Sequence, residues 1–182
     1  MATLFLHIGY TKTASTFLQK EVFPKITDVY YLQKPSLDLI PQRMGGDGIF
    51  RRFFAAAPEI WSEHGDELLG KLGINDGKDT LVSDESVTEM TQIHSTVAAH
   101  IKALRNTFHG EVQVVLTIRR QDRKLASLYA QRSNYVKEAS QSHFESWVRN
   151  MIHTASGYYG EEGLRGIMLD YNSMCSSLQS VL

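Results

Sequence analysis

Short apolar runs alternate with longer amphipathic stretches along this chain. The first run, Leu4–Ile8, is apolar on both faces apart from His7. That pattern is typical of a strand buried on both sides of a parallel sheet. The runs short enough to be strands are Leu4–Ile8, Val29–Leu32, Thr80–Val82 and Val112–Ile118.

The stretches between these runs have helical periodicity. The predicted helices are Ser15–Phe23, Ile49–Ala57, Glu59–Leu72, Ile93–Phe108, Asp122–Lys137, His143–Thr154 and Ser173–Leu182. The first is expected to stop at Pro24, because proline lacks the N–H that would continue a helix. Strands that alternate with helices favour βαβ units, and so an α/β fold with a central parallel sheet and helices on both faces.

Composition narrows the class of protein. A chain of 182 residues, 42% of them apolar, can bury one core, so residues 1–182 are expected to form a single domain. The balance of 19 basic and 20 acidic residues argues against a general nucleic-acid or membrane binder. The single cysteine, Cys175, excludes an intrachain disulfide and cysteine-based zinc sites. The segment Met1–Gly9 has no basic leader, so we predict a strand there and a cytoplasmic protein.

The loop after the first strand has the composition of an anion site. It follows Gly9 and carries one ammonium and three hydroxyls, on Lys12, Thr13, Ser15 and Thr16. Backbone N–H groups and the dipole at a helix start favour an anion at this position. Lys12 has no glycine directly before it, so the Walker A pattern of ATP-binding loops is absent. The alternative is that Lys12 is solvated and Ser15 only caps the helix.

A basic run follows the fourth predicted strand. Arg119 lies at the carboxyl end of that strand, and Ser127 falls off the apolar stripe of the next helix. An arginine fork with a nearby hydroxyl suits a phosphate, whereas the alternative is a solvated basic face. The other basic residues of the run are Arg120, Arg123, Lys124 and Arg132, and the stripe is Leu125, Leu128, Tyr129 and Val136.

Two segments together resemble the cofactor site of sulfotransferases. The segment His7–Gln19, HIGYTKTASTFLQ, resembles the 5′-phosphosulfate loop of that family, Gly-x-x-Lys-x-Gly-Thr-Thr/Ser. Arg119 and Ser127, eight positions apart, are similar to its 3′-phosphate element. The resemblance covers most of the chain outside residues 33–78. It implies a three-layer, P-loop-like α/β fold, with 3′-phosphoadenosine 5′-phosphosulfate (PAPS) as co-substrate, no metal, and sulfuryl transfer to a hydroxyl or amine.

The resemblance also implies a set of site residues. Ala14 stands where the family has glycine and Ser15 where it has threonine, and Arg120-Gln121 replaces the Asn-Pro that often follows the arginine. Alanine is expected to remove the freedom to adopt a positive φ. The residues implied to bind the cofactor are Gly9, Thr11, Lys12, Thr13, Ala14, Ser15, Thr16, Phe17, Arg119 and Ser127, with Lys12 also catalytic.

An acidic segment follows the third predicted strand. Glu85 is our candidate for the base that deprotonates the acceptor, with Asp84 and His7 as rivals. Sulfotransferases that act on glycans resemble this arrangement in using glutamate, whereas the branch that acts on small molecules uses histidine. The resemblance implies a small-molecule or glycan acceptor, and the sequence leaves open a sugar, a lipid, a phenol or a peptide tyrosine. The alternative is that Ser83 and the acidic residues only favour the start of a helix.

Two other functions stay open. A P-loop small-molecule kinase is one, because Leu81–Glu85 weakly resembles a Walker B strand. A non-catalytic module that binds PAPS or its product is the other, motivated by Ala14 and by the end at Leu182. The last predicted helix stops there without a cap, so we expect that a C-terminal part is missing. This expectation predicts an open nucleotide site, an unpaired sheet edge or apolar patch, and self-association through that end.

Overall fold

A computed structural model describes residues 1–10, 12–32, 58–75, 77–89, 94–154 and 170–182. Its sheet has four parallel strands in the order β2-β3-β1-β4. The predicted α/β fold with a parallel sheet is confirmed, and each strand agrees with its predicted bounds to within one residue. The strands are β1 (Thr3–Gly9), β2 (Tyr30–Leu32), β3 (Thr80–Ser83) and β4 (Glu111–Thr117).

The helices follow the strands in the predicted order. A helical segment after β1 starts as one α turn and continues as a π turn, Leu18–Val22, and a 3₁₀ turn, Phe23–Lys25. Pro24 therefore lies inside the last turn and does not end the segment before it. The α-helices are α1 (Ser15–Phe17), α2 (Ile60–Lys71), α3 (Ser86–Glu89), α4 (His94–Thr107), α5 (Gln121–Ser133), α6 (Gln141–Thr154) and α7 (Tyr171–Gln179).

Several predicted helix bounds were wrong by two to four residues. The last helix ends at Gln179 with Ser180 as its C-cap, so the expectation that it runs uncapped to Leu182 is wrong. Helix α5 ends at Ser133, so Lys137 and Val136 lie beyond it and Val136 does not belong to its apolar stripe. Helix α7 begins at Tyr171, where the Asp170 side chain accepts a hydrogen bond from the backbone N–H of Ser173, and this cap explains the earlier start. The predicted helix over 49–57 lies outside the described residues.

The core lies on one face of the sheet. Leu4, Leu6 and Ile8 of β1 are buried, and they share a cluster with apolar residues of α2, α4 and α7. Helix α4 packs between α2 and α7. Central strand β1 pairs with β3 on one side and with β4 on the other. Every residue of Leu4–Ile8 is buried or half-buried, which explains the nearly continuous apolar run in the sequence.

Strand β4 is one of the two edge strands of the sheet, as far as the chain is described. It pairs with β1, and no described strand pairs with its other side. Val115 is 43% exposed and Ile118, just past the strand, is 54% exposed. None of the helices in the described ranges is long and apolar enough to cross a membrane.

Candidate functional site

The carboxyl ends of β1, β3 and β4 meet at one edge of the sheet. His7 of β1 is paired with Ser83 of β3, and Gly9 is paired with Thr117 of β4. The loop after β1, which we call the anion loop (residues 9–16), leaves the sheet at this edge. The segments that carry Glu85 and Arg119 leave it here too. Open parallel sheets bind their ligands at this edge.

The anion loop contains two non-glycine residues in the left-handed region. Lys12 has a φ of 65° and Ala14 a φ of 67°. The expectation that alanine cannot take a positive φ here is therefore wrong. The left-handed conformation costs a non-glycine residue about 1–2 kcal/mol, which surrounding contacts can offset. One such contact is the 3.0 Å hydrogen bond from the backbone N–H of Leu18 to the Ala14 carbonyl.

Side-chain hydroxyls hold the start of the loop. The Thr13 hydroxyl donates to the Tyr10 carbonyl at 2.6 Å, and the Thr88 hydroxyl donates to the Gly9 carbonyl at 2.6 Å. A Cβ added at Gly9 would overlap the Thr117 hydroxyl, so glycine is needed there. Since the single hydroxyl hydrogen of Thr13 is donated to Tyr10, this side chain supports the loop. Its expected contact with the cofactor stays a prediction.

The other loop positions differ in exposure. Lys12 is half-buried and is the only charged residue of the loop. Ser15, the first residue of α1, is buried, whereas Thr16 and Phe17 are exposed. The first turn of α1 contains no acidic residue. Thr11 lies outside the residues that the structure describes. An anion at this loop would meet one ammonium and no fixed negative charge from the loop itself.

Arg119 contacts the anion loop directly. Its guanidinium Nη1 donates to the Lys12 carbonyl at 3.0 Å. The Arg119 carbonyl in turn accepts a 2.8 Å hydrogen bond from the hydroxyl of Tyr171 in α7. The two segments that the sequence singled out, about a hundred positions apart, are therefore brought together. The guanidinium is exposed, and this hydrogen bond uses one of its five N–H groups.

Ser127 is half-buried near the middle of α5. It follows Gln121, the first residue of this helix, by six positions. At the α-helical rise this spacing is about 9 Å along the axis. The proposed sharing of one phosphate between Ser127 and Arg119 stays a prediction.

The basic run after β4 is not a uniform solvated face. Arg120 is exposed and pairs with Asp122 at 2.7 Å. Lys124, in contrast, is fully buried, with its ammonium 4.0 Å from the centre of the Tyr10 ring and 5.6 Å from that of Tyr171. Burial raises the pKa of the Tyr10 hydroxyl, so the ring stays neutral beneath the cation. This cluster was not predicted from the sequence, although Lys124 precedes the stripe residue Leu128 by one helical turn.

Glu85 is the most accessible of the three candidate bases. Asp84 and His7 are 2% and 1% exposed, whereas Glu85 is half-buried. Burial lowers the pKa of His7, although the nearby Glu85 carboxylate acts in the opposite direction. A buried imidazole that does not reach solvent is poorly placed to contact an acceptor. The geometry thus favours Glu85 over both rivals.

Gln19 holds Glu85, and sequence reasoning did not single it out. Its side-chain amide donates to Glu85 Oε2 at 2.8 Å and to Ser83 Oγ at 3.0 Å. Gln19 follows Ser15 by four positions, so one helical turn separates them. That spacing was a usable signal that Gln19 faces the same edge as the anion loop.

A large surface cavity lies away from this site. Its volume is about 670 Å³, and it is lined by residues of α2 and of the end of α4, including Trp61, Thr107 and His109. Thr107 and His109 precede β4, so the cavity lies near the amino-terminal edge of the sheet, opposite the anion loop. In the described part of the chain, no group of three or more His, Cys, Asp or Glu residues could hold a metal ion.

Comparison with protein-family models, curated proteins and solved structures finds no match for this chain. Its function is therefore inferred from the arrangement at the sheet edge. The likeness to sulfotransferases stays a prediction that depends on the motif residues and on the contacts between them.

Proposed function

We propose that this chain is a PAPS-dependent sulfotransferase domain whose nucleotide lies between the anion loop and Arg119. The observation that carries the proposal is the 3.0 Å hydrogen bond from Arg119 to the Lys12 carbonyl. It joins two segments that were proposed separately to bind a 5′-phosphosulfate and a 3′-phosphate. One bisphosphorylated nucleotide could then contact both.

The strand order supports a P-loop-like arrangement. β1 lies inside the sheet, and the anion loop follows it directly, between β3 and β4. Loops after inner strands of open parallel sheets are the usual anion sites of such folds. A three-layer, P-loop-like fold is the finer form of this proposal.

The residues present fit a phosphosulfate. The loop offers the Lys12 ammonium, the buried Ser15 hydroxyl at the start of α1, and no acidic group in that turn. Arg119 offers an exposed guanidinium, a shape that matches a phosphate. We propose that Ser127 adds a hydroxyl to the same 3′-phosphate. The 3′-phosphate contact would distinguish PAPS from ATP.

Bound PAPS would supply a sulfuryl group for in-line transfer to a hydroxyl or amine of a small molecule or glycan. The task of the protein is then positioning and charge stabilisation, as in phosphoryl transfer. Lys12 would stabilise negative charge that grows on the bridging oxygen. Because the chain supplies this charge from a side chain, the proposal requires no metal.

Glu85 would remove the proton from the acceptor. Its carboxylate is half-buried at the same edge as the anion loop and accepts a hydrogen bond from Gln19. An oriented carboxylate near the reacting atoms is the arrangement that general-base catalysis needs. Asp84 and His7 are both buried and are weaker candidates for this step.

A second candidate is a module that binds PAPS or its product without transferring sulfate. The observation in its favour is the positive φ of Ala14, at the position where sulfotransferases have glycine. The Cβ of Ala14 narrows the approach of a ligand to the loop backbone. Binding without turnover would be the outcome that supports this candidate.

A thermal-shift comparison tests the proposed function. We expect 3′-phosphoadenosine 5′-phosphate to raise the melting temperature more than AMP or ATP at equal concentration, because only a ligand that binds the native state stabilises it. A magnesium-dependent shift with ATP and none with the 3′-phosphorylated nucleotide would favour the kinase. Equal shifts with all three nucleotides would contradict a 3′-phosphate site.

A further inference from the structure

A chain of polar side chains crosses the carboxyl ends of β3, β1 and β4. It begins at Glu85, on the β3 side, and ends at the anion loop. Gln19 contacts Glu85 and Ser83, and Ser83 Oγ lies 2.7 Å from His7 Nδ1. On the other side of the ring, His7 Nε2 lies 3.1 Å from Thr117 Oγ1. The last contact joins the hydroxyls of Thr117 and Thr13 at 3.0 Å.

The direction of each hydrogen bond in this network follows from its end at the anion loop, where Thr13 lies. The Tyr10 carbonyl can only accept, so Thr13 donates its single hydroxyl hydrogen there. Thr13 must then accept from Thr117, which uses the single hydrogen of Thr117. Thr117 therefore accepts from His7, and the imidazole proton lies on Nε2.

The other end of this hydrogen-bond network is compatible with that assignment. The amide nitrogen of Gln19 can only donate, and it donates both to the Glu85 carboxylate and to Ser83 Oγ. In a neutral imidazole with its proton on Nε2, Nδ1 is an acceptor, so Ser83 donates its hydrogen to His7. Every hydrogen in the chain then has an acceptor. A proton on Nδ1 would leave the Ser83 hydrogen without this acceptor.

We propose that His7 is a positioning residue. As the neutral tautomer protonated on Nε2, it fixes the anion loop relative to Ser83, Gln19 and the Glu85 carboxylate. His7 is 1% exposed and its ring packs edge-on against Phe23 at 5.2 Å, so the imidazole has little freedom to turn. Its lowered pKa, which burial causes, favours the neutral form.

The inference concerns how the site is held together, and it rests on the proposed function only where a nucleotide is used as a readout. A histidine that merely filled space would not need one tautomer. It would also not respond to the loss of a hydroxyl on a neighbouring strand. These two properties separate positioning from simple packing.

The test uses Thr117→Val, which removes the hydroxyl with little change of shape, and Thr117→Ser, which retains it. Nitrogen-15 NMR of the imidazole is expected to show, in the natural chain, an unprotonated Nδ1 and a protonated Nε2. Thr117→Val should change the His7 resonances and shift the backbone amides of residues 12–15, and Thr117→Ser should restore both. Affinity for 3′-phosphoadenosine 5′-phosphate should fall about three- to tenfold in the valine variant, the usual effect of one hydrogen bond.

Protonation on Nδ1 in the natural chain would overturn the inference. So would a valine variant with the same His7 and loop resonances as the natural chain. Failure of the natural chain to bind the nucleotide would count against the proposed function alone, because the tautomer and the amide shifts would still decide the role of His7. Should Thr117→Val unfold, the imidazole spectrum of the natural chain still decides between the two tautomers.

Discussion

The guanidinium of Arg119 donates a 3.0 Å hydrogen bond to the carbonyl of Lys12. Lys12 has a left-handed backbone conformation, with a φ of 65°. Arg119 therefore stabilises the conformation of the anion loop. It is also proposed to bind the nucleotide together with that loop. Its two tasks, supporting the loop and contacting a 3′-phosphate, should be separable by experiment.

Arg119→Ala should weaken the binding of 3′-phosphoadenosine 5′-phosphate more than the binding of AMP. Loss of a charge-assisted contact to the 3′-phosphate should cost about 1.5–3 kcal/mol, whereas the lost support of Lys12 should affect both nucleotides by about 0.5–1.5 kcal/mol. Ser127→Ala should affect the 3′-phosphorylated nucleotide alone and by less. Titration calorimetry with both nucleotides measures this difference. Equal weakening would mean that Arg119 supports the loop and does not contact a 3′-phosphate.

Ala14→Gly is expected to stabilise the protein. Glycine takes the left-handed conformation without strain, which should raise the free energy of unfolding by about 1–2 kcal/mol. Glycine also makes the unfolded chain more flexible, which should lower it by roughly 0.5–1 kcal/mol. The net gain should be about 0.5–1 kcal/mol in the free energy of unfolding, measured as a shift of the urea midpoint at unchanged slope.

Gly73→Ala provides the matched reverse change. Gly73 has a φ of 69° and no heavy atom within 4 Å of an added Cβ, so the effect of alanine there is conformational. The same two effects act here in the reverse direction, so we expect the free energy of unfolding to fall by about 0.5–1 kcal/mol. A destabilised Ala14→Gly variant beside a destabilised Gly73→Ala variant would show that Ala14 is not strained.

Glu85→Gln should lower sulfate transfer about a hundredfold or more while leaving nucleotide affinity unchanged. The amide retains the shape of the carboxylate and loses its capacity to accept a proton. Initial rates with saturating PAPS measure the effect once an acceptor is identified. Glu21→Gln is the control, because Glu21 is an exposed carboxylate paired with Lys25. An unchanged rate in the Glu85 variant would move the base to Asp84 or His7.

The pH dependence of stability should contain a contribution from His7. Burial lowers its folded-state pKa below 6.5, although Glu85 acts in the opposite direction. At a pH between the folded-state pKa and the value of about 6.5 in the unfolded chain, the unfolded chain binds the extra proton and the folded chain does not. Stability is therefore lost as pH falls below about 6.5, by at most about 1.4 kcal/mol per pH unit.

His7→Gln should remove this contribution. The measurement is the free energy of unfolding by urea from pH 8 to pH 5, compared between the natural chain and the variant as a difference in slope. The two curves should run parallel above about pH 7 and converge at lower pH. Curves that stay parallel throughout would show that His7 titrates alike in both states.

Much of the fold could be predicted because buried strands have mostly apolar sequences. Every residue of Leu4–Ile8 in β1 is buried or half-buried, and this run accordingly contains one polar residue, His7. The position of the anion loop was also predictable, since a glycine, a lysine and several hydroxyls follow that strand. Helix ends were less accurate, because the end of α5 at Ser133 has no glycine or proline to mark it.

The contacts within the site could not be predicted, because they join distant parts of the chain. Gln19 and Glu85 are 66 positions apart, and their hydrogen bond depends on the pairing of β1 with β3. The left-handed conformation of Ala14 opposes the local preference of alanine, so the sequence did not predict it. The burial of Lys124 against two aromatic rings likewise depends on the docking of α7, which carries Tyr171.

The most direct measurement is the affinity of the natural chain and of Lys12→Ala for 3′-phosphoadenosine 5′-phosphate and for AMP. Lys20→Ala, at an exposed position of the neighbouring π turn, is the control. We expect the natural chain and the control to bind the 3′-phosphorylated nucleotide at least about tenfold more tightly than AMP. Lys12→Ala should lower the affinity for the 3′-phosphorylated nucleotide by about ten- to a hundredfold and leave the fold intact. Equal affinity of the natural chain for both nucleotides, or an equal effect of the two lysine variants, would contradict a PAPS site at this loop.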